Sequence, residues 1–254
     1  MNKLSIEEIH KKNIGKVSDK WASYLPFYDQ LFEKYRKEKL SLLEIGVQNG
    51  GSLETWKAYF DKANVLIGCD IDKQCGNLKY DDSRVHVVVG DANQSDTVKK
   101  IVNICGNFEI VIDDGSHQTN DIITSFLIYF PLVKPGGLYV IEDTHTLYMN
   151  SWGGGILNEF NAYSFFKKLI DVINIQFWKN EISIDVYFRT FFSLNQMPSF
   201  IKEGWVESIE FRNSMIIIKK STIANNNKLG ERIITGTDAQ VNSLEEARNG
   251  EVVK

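Results

Sequence analysis

The chain has 254 residues, which is enough for one large α/β domain or at most two small ones. Hydrophobic residues make up 43% and charged residues 24%, values typical of a globular protein with a sizeable core. The formal net charge of -4, from 29 basic and 33 acidic side chains, excludes the strong positive field that nucleic acids or anionic membranes require. We therefore expect a small-molecule or glycan partner, with no nucleic acid and no membrane.

The three cysteines, Cys69, Cys75 and Cys105, form no Cys-x-x-Cys pair, and their odd number argues against a disulfide framework. The first eight residues carry no apolar run behind their charges and so do not resemble a secretion signal. Every apolar stretch is interrupted by charge before it could span a bilayer. These features predict a cytoplasmic protein.

In chain order, residues 1–40 are charged and carry an apolar face near helical spacing, which predicts a helical cap. From residue 41, short apolar runs alternate with helical stretches, a pattern typical of βαβ units around a parallel sheet. We therefore predict a Rossmann-like, doubly wound α/β fold. The predicted strands are 41–46, 65–70, 85–89, 108–114 and 138–143, and the predicted helices are 53–60, 95–105, one that reaches about residue 132, and 158–174.

The C-terminal part departs from this alternation. Strands Val206–Phe211 and Met215–Ile218, joined by Arg212, Asn213 and Ser214, predict an antiparallel hairpin on the sheet. Residues 221–254 are polar and predict an extension with little core. The predicted organisation is thus a cap (1–40), a binding domain (41–220) and an extension (221–254).

Two segments of the binding domain carry further expectations. Residues 144–157, with three successive glycines, predict a mobile loop over the ligand crevice. The aromatic-rich stretch 160–200 could supply the interface of a homo-oligomer.

A glycine-rich turn follows the first strand and opens a helix. Gly46, Gly50 and Ser52 lie on this turn, and glycine there allows positive φ and close approach of a ligand. The spacing is not Gly-x-Gly-x-x-Gly, which disfavours a plain dinucleotide site. Asp70, at the end of the second strand, could accept both hydroxyl protons of a ribose. Asp91, after the third strand, could accept from an adenine amino group. Alternatively, the glycines only form a tight turn and the acids are solvated strand ends.

A second group of polar residues follows the fourth and fifth strands. Asp114, Glu142 and Asp143 should lie at the same sheet edge, where carboxylates repel unless protons or a cation neutralise them. Oxygen ligands favour Mg²⁺ over Zn²⁺. His117, three residues after Asp114, would lie beside that cation as a general base. Alternatively, these acids are solvated strand ends and the histidine begins a helix.

Several segments together resemble the motifs of class I S-adenosylmethionine-dependent methyltransferases. More narrowly, residues 18–220 resemble the macrocin and mycinamicin O-methyltransferase group and the related cephalosporin-hydroxylase-like methyltransferases. The broad resemblance rests on Glu44–Gly51, Gly68–Asp70 and Gly90–Ala92, and the narrower one on Ser18-Asp19-Lys20, Tyr24–Tyr28, Asp113–His117 and Ile141–Thr144. Leu229–Ile233 and Gly236-Thr237 are similar to the group's C-terminal segment, which argues against an unstructured extension.

This resemblance implies S-adenosylmethionine as the cofactor, with Glu44 and Gly46 beside its methionine part, Asp70 beside the ribose and Asp91 beside the adenine. It also implies Mg²⁺, or another divalent cation, on the three carboxylates and His117 as the base. The acceptor would be a sugar hydroxyl of a glycan, a nucleotide sugar or a glycosylated natural product. The predicted cofactor-binding residues are Glu44, Gly46, Gly50, Ser52, Asp70, Asp91 and Asp113, the predicted metal ligands are Asp114, Glu142 and Asp143, and the predicted catalytic residue is His117.

Three other functions remain open at this point. One is a metal-dependent methyltransferase that acts on a non-sugar oxygen or nitrogen. Another is an NAD-binding oxidoreductase, which the glycine spacing disfavours. The third is a non-catalytic binding protein, although a binder needs no base beside a metal.

Overall fold

The computed structural model describes residues 4–179, 182–193 and 196–236. Within these ranges, seven strands form one sheet. The strands are β1 (Ser41–Ile45), β2 (Val65–Asp70), β3 (Val85–Val89), β4 (Phe108–Asp113), β5 (Val133–Ile141), β6 (Val206–Arg212) and β7 (Met215–Lys220). Their order in the sheet is β3-β2-β1-β4-β5-β7-β6. Strands β1 to β5 pair in parallel and the β6–β7 hairpin is antiparallel, which confirms the predicted fold class.

Helices flank the sheet. The α-helices are α1 (Ile6–Lys12), α2 (Tyr24–Phe32), α3 (Gly51–Tyr59), α4 (Ser95–Ile104), α5 (Thr119–Tyr129), α6 (Ala162–Ile173), α7 (Ile184–Tyr187) and α8 (Ser199–Lys202). Short 3-10 turns lie at Glu33–Tyr35, Lys73–Asn77, Phe130–Leu132, Thr144–Tyr148, Asn150–Trp152 and Ile175–Phe177. No helix among the described residues has both the length and the apolar character needed to cross a bilayer.

The core has two parts, one on each face of the sheet. Successive side chains of a strand point to opposite faces, so the fully buried Leu42 and Leu43 of β1 belong to different clusters. Leu42 packs in the cluster that includes residues of α1, α2 and α3. Leu43 packs in the cluster that includes residues of α5 and α6. The sheet is therefore covered on both faces, and its strand ends are left to form the site.

The N-terminal region is only partly the predicted helical cap. Helix α1 begins with a capping box, in which Ser5 and Glu8 satisfy each other's backbone N–H groups. Residues 13–21, which we call the strap, contain no helix, so the helical prediction is wrong there. The backbone of the strap instead bonds to α3: Gly51 N–H donates to Val17 O at 3.1 Å, and Lys16 N–H donates to Glu54 Oε2 at 2.8 Å.

Two other boundaries differ from the prediction. Strand β5 begins at Val133, five residues before the predicted start, and continues through Pro135 and two glycines. The register with β4 shifts between Phe108 and Ile110, and this irregularity accommodates a segment whose sequence is typical of a turn. Residues 221–236 contain no helix or strand, and residues 237–254, including the predicted Thr237, lie outside the described residues. The three-part organisation stays a prediction.

The aromatic stretch near residues 160–200 contributes mainly to the core. Phe165, Phe166 and Phe188 are fully buried in the cluster on the α5 and α6 face. Packing within the chain thus accounts for these buried rings, whereas Phe160 and Phe177 are exposed, and the homo-oligomer stays a prediction.

An ion pair at the start of β3 gives a pH-dependent stability. Arg84 donates to both carboxylate oxygens of Asp82 and to Phe60 O at 3.0 Å, and it lowers the pKa of Asp82 to about 2. Because the folded-state pKa lies below the unfolded value of about 3.9, this stabilisation is complete above about pH 4 and lost as the pH falls towards about 2. We expect Asp82→Asn to lower the melting temperature by about 2–4 °C near neutral pH.

Thermal unfolding at several pH values checks this expectation. The difference between the variant and the parent protein should shrink as the pH falls through the folded-state pKa. The exposed Asp96 supplies the control, since Asp96→Asn should change little at any pH. A constant difference at all pH values would contradict the assignment.

Candidate active site

A cavity of about 490 Å³ lies at the carboxyl ends of the parallel strands. This is where ligands bind in open α/β sheets, and the volume lies within the range of small-molecule sites. Its wall comes from the glycine-rich turn, from the ends of the parallel strands and from the strap. Of the eleven predicted site residues, all except Glu44 and Gly50 line it.

The glycine-rich turn is set by close approach of two strand ends. Gly46 has φ +82°, and a Cβ there would lie 2.0 Å from Asp114 O. Gly50 has φ +76° and precedes α3, where a Cβ would lie 2.1 Å from the Tyr80 hydroxyl. Gly46 thus brings the ends of β1 and β4 together at the cavity, whereas Gly50 closes the turn behind it.

We expect Gly46→Ala to reduce cofactor affinity by at least about 10-fold and to destabilise the fold by a few kcal/mol. A side chain at this φ is strained, and its Cβ would displace the backbone of Asp114. Calorimetric titration with S-adenosylmethionine measures the affinity, and urea unfolding measures the loss of stability. Gly106→Ala is the matched control, because a Cβ there meets nothing closer than 3.9 Å. Equal behaviour of the two variants would contradict this role of Gly46.

Glu44 and Ser52 form a buried pair beside the turn. The Ser52 hydroxyl donates to Glu44 Oε2 at 2.6 Å, and Glu44 is fully buried. Its Oε1 has no hydrogen-bond partner among the described residues. Glu44 therefore lies behind the cavity wall, while Ser52 lines it.

The predicted nucleoside carboxylates lie at the cavity and also hold its loops. Asp70 Oδ2 accepts from Val47 N–H at 2.9 Å and Gln48 N–H at 2.8 Å, and so fixes the glycine-rich turn. Asp91 Oδ1 accepts from Asn93 N–H at 2.9 Å. Both acids are held at the cavity edge in fixed orientations, which fits recognition of hydroxyl or amino donors.

Asp113 is the most enclosed of the predicted cofactor residues that line the cavity. Its Oδ2 accepts from the Tyr139 hydroxyl at 3.0 Å, and Oδ1 accepts from Gly115 N–H at 3.3 Å. Burial raises the pKa of Asp113 to about 7, although both hydrogen bonds oppose the rise. Much of its bonding thus supports the turn after β4.

The largest departure from the sequence prediction is a lysine among the acids. Lys20 Nζ, from the strap, lies 2.6 Å from Asp114 Oδ2, 2.8 Å from Glu142 Oε1 and 3.6 Å from Glu44 Oε1. The Tyr28 hydroxyl also donates to Glu142 Oε1, at 2.6 Å. Two of the predicted metal ligands, Asp114 and Glu142, therefore already share an internal cation.

Asp143, the third predicted ligand, faces a different set of neighbours. Its Oδ1 accepts from Trp21 Nε1–H at 3.0 Å and from the Tyr24 hydroxyl at 2.8 Å. Its Oδ2 lies 3.9 Å from His117 Nε2. Asp143 and His117 have φ of +52° and +58°, and backbone strain of this kind clusters at functional sites.

The charges at this edge are only partly balanced. Burial would lower the pKa of Lys20, but the three carboxylates outweigh it and raise that pKa well above its ordinary value. One ammonium cannot neutralise three buried acids, and burial leaves the pKa of Asp114 and that of Glu142 raised to about 7 each. Burial also lowers the pKa of His117, against the opposing effect of Asp143, and so favours an imidazole that can accept a proton.

The residues fit a divalent cation on the Asp143 side of the cluster. Ligand atoms of Asp114, His117 and Asp143 all lie within 4.8 Å of one another. A second such group joins Glu44, Asp114 and Glu142, and it surrounds Lys20 Nζ. Within the described residues, the three predicted metal ligands do not form one group. Glu142 belongs to one group, Asp143 to the other, and Asp114 to both.

The segment after β5 packs over His117. The Thr146 hydroxyl donates to His117 O at 3.2 Å, and the Trp152 ring centre lies 6.1 Å from the imidazole. His145 Nδ1 lies 2.6 Å from the Ser214 hydroxyl oxygen, and its ring meets Trp21 edge-on. The predicted loop thus begins with short helical turns, and these turns pack against His117.

Sequence reasoning missed Lys20, Trp21, Tyr24 and Tyr28 as site residues. Lys20, Tyr24 and Tyr28 lie in segments that carry the family resemblance, and Trp21 directly follows one of these segments; this was the available signal. Their roles were not visible because their partners follow β4 and β5, 94 or more residues later.

No family model matches the chain. Demethylmacrocin O-methyltransferase of Streptomyces fradiae is 36% identical over 173 residues, which are 63% of this chain and 43% of that protein. Mycinamicin VI 2''-O-methyltransferase of Micromonospora griseorubida is 42% identical over 139 residues, 52% of this chain and 34% of that protein. The resemblance to the macrocin and mycinamicin O-methyltransferases is confirmed. The chain spans less than half the length of either relative.

A solved structure agrees with these sequence matches. MycE methyltransferase from the mycinamycin biosynthetic pathway, in complex with Mg and SAH, has a TM-score of 0.71 and 29% identity to this chain in its second crystal form. The match covers 99% of this chain and 61% of that one. The sheet and its flanking helices are therefore those of a Rossmann-like methyltransferase.

Proposed function

We propose that the protein is an S-adenosylmethionine-dependent O-methyltransferase that uses a divalent cation, Mg²⁺ first, and acts on a sugar hydroxyl. The observation that carries the proposal is one cavity that joins Gly46, Asp70 and Asp91 to the group formed by Asp114, His117 and Asp143. The first three fit a nucleoside cofactor, and the second three fit a cation beside a base.

The chain's own residues would act as follows. The glycine-rich turn and Asp70 would hold the methyl donor, and Asp91 would fix its adenine. Asp114 and Asp143 would hold the cation, with Glu142 as the remaining predicted ligand. A bound divalent cation lowers the pKa of the acceptor hydroxyl and fixes its orientation. His117 would accept the hydroxyl proton as the oxygen forms its bond to the methyl group and the bond between that methyl group and the sulfonium sulfur breaks, which releases SAH.

Two observations, one on related proteins and one on this chain, support the sugar acceptor. The matched relatives are named as O-methyltransferases of demethylmacrocin, of mycinamicin VI and of a rhamnosyl tetracenomycin-C, and a MycE structure is described in complex with Mg, SAH and mycinamycin VI. The chain also exposes large apolar side chains on the segment that places Trp152 near His117: Tyr148, Met149, Ile156 and Leu157. These side chains favour a sugar attached to an apolar aglycone over a nucleotide sugar.

We also propose a cytoplasmic location, since all three cysteines are free thiols.

Calorimetry with S-adenosylmethionine, SAH and NAD tests the cofactor. We expect binding of the first two and none of NAD, and NAD binding alone would favour the oxidoreductase. An acceptor screen of glycosylated and non-sugar compounds, with and without EDTA, tests the reaction. Turnover should require a divalent cation, and turnover of only non-sugar acceptors, or turnover that is unchanged in EDTA, would contradict the proposal.

A further inference from the structure

One buried hydroxyl connects the segment that carries His117 to the segment that carries Asp143. Thr146 lies on the 3-10 turn after β5 and is 5% exposed. Its Oγ1 lies 2.9 Å from Asp143 O and 3.2 Å from His117 O. A hydroxyl has a single proton to donate, so the two carbonyl oxygens share one three-centre hydrogen bond. Thr146 thus bridges the backbones of the predicted base and of a predicted metal ligand.

The two bridged residues have the same unusual backbone conformation. His117 has φ +58° and Asp143 has φ +52°, in the left-handed region that residues other than glycine rarely adopt. Strain of this kind persists only where the surrounding contacts hold the chain in place. The Thr146 hydroxyl supplies such a contact to both residues at once, and so holds the loop after β4 against the loop after β5.

The two carbonyl groups do not depend on Thr146 equally. Asp143 O also accepts from the backbone N–H of Thr146, at 3.1 Å, so it keeps a partner if the hydroxyl is lost. His117 O has no second hydrogen-bond partner in the part of the chain that the structure describes. Removal of the hydroxyl should therefore free the His117 side of the bridge and leave the Asp143 side in place.

We propose that Thr146 is a positioning residue for His117, which acts through the backbone and not through contact with the cofactor or the acceptor. His117 lines the cavity, whereas Thr146 does not. A base must lie within hydrogen-bond reach of the proton that it accepts, and a misplacement of about 1 Å can cost a factor of about 100 in rate. The catalytic part of this inference rests on the proposed function, whereas the backbone part rests on contacts within this chain.

Hydrogen exchange in EDTA tests the backbone part without an acceptor or a metal. Thr146→Val keeps the shape of the side chain but lacks the hydroxyl. The amides of Gly115 and Gln118, which bond within the loop of His117, should then exchange about 10-fold faster than in the parent protein. Thr146→Ser keeps the hydroxyl and should exchange like the parent, and the glycine-rich turn should be unaffected in both variants. Equal exchange of this loop in Thr146→Val and Thr146→Ser would overturn the proposal.

Single-turnover kinetics tests the catalytic part, with an acceptor from the screen described above. Thr146→Val should slow methyl transfer by about 10–100-fold, and Thr146→Ser should restore most of the rate. The affinities for SAH and Mn²⁺ should not change, because the Asp143 side of the bridge remains, whereas a general loss of stability would lower all three quantities. Thr124→Val is the control, since its exposed hydroxyl also donates to a backbone carbonyl, Asn120 O, at 2.7 Å. An unchanged rate in Thr146→Val, or a parallel fall of rate and Mn²⁺ affinity, would overturn the positioning role.

A double variant separates this inference from the proposed function. If Thr146 acts through His117, Thr146→Val should cost little further rate in a His117→Asn background, and full additivity would overturn the proposal. If His117→Asn itself leaves the rate unchanged, the base of the proposed function fails, and hydrogen exchange alone decides the role of Thr146. Should Thr146→Val not fold, Thr146→Ala is compared with Thr146→Ser by the same criteria, since it also lacks the hydroxyl.

Discussion

His117→Ala should slow methyl transfer by about 10²–10⁴-fold while leaving the affinity for SAH unchanged. The imidazole lies beside Asp143, with Nε2 3.9 Å from Oδ2, and burial lowers its pKa so that it can accept the hydroxyl proton. It lines the cavity on the side of the predicted cation rather than at the glycine-rich turn. Single-turnover rates and calorimetry with SAH measure the two quantities separately.

The backbone at this position requires a second variant. His117 has φ +58°, a conformation that asparagine adopts more readily than alanine, so His117→Asn separates loss of the base from strain in the turn. Both variants should lose rate to a similar extent. His145→Ala is the control histidine, since its ring is held by Ser214 and Trp21, and its loss should be much smaller. A parallel fall of rate and SAH affinity in His117→Asn would contradict the base.

Asp143→Asn should weaken divalent-cation binding by about 10–100-fold and shift the metal dependence of turnover by the same factor. The substitution removes the charge that faces His117 but keeps an oxygen for Tyr24 and Trp21. Asparagine also tolerates the φ of +52° at this position. The affinity for SAH should not change, because the side chain of Asp143 bonds to Trp21 and Tyr24 and not to the glycine-rich turn.

Titration with Mn²⁺ and activity at graded Mg²⁺ concentrations measure this effect. The exposed Asp96 again serves as the control, since Asp96→Asn removes one negative charge from a residue that does not line the cavity. Excess Mg²⁺ should restore much of the activity of Asp143→Asn. An unchanged metal dependence would remove Asp143 from the cation site.

Most of the fold could be predicted because the sheet depends on local pattern. The apolar runs of β1 to β4 are short and bounded by acids or glycines, so their ends could be read within a residue or two. The start of β5 could not, because Pro135 and the next two glycines are typical of a turn. They lie in the irregularity between two paired positions, where Val133 pairs with Phe108 and Leu138 with Ile110. Tertiary pairing, rather than local preference, decides that boundary.

In the candidate site, too, some residues could be predicted from local pattern and others could not. Asp70, Asp91, Asp114 and His117 could be predicted because parallel strands must bring their carboxyl ends to one edge. Lys20 could not, because an apolar face near helical spacing indicated a helix where the strap is extended. Its position depends on backbone bonds to α3 and on acids that follow other strands, and no local pattern encodes such contacts.

Helix α2 and the hairpin also determine when the site can form during synthesis. The Tyr24 hydroxyl lies 2.9 Å from Ser214 O across a sequence separation of 190 residues, and Ser214 connects the two strands of the hairpin. A nascent chain can therefore pair its first five strands on the ribosome, but the wall that holds Asp143 closes only once β7 has emerged. Such long-range closure is slow to form, and partly synthesised chains should be structured yet inactive.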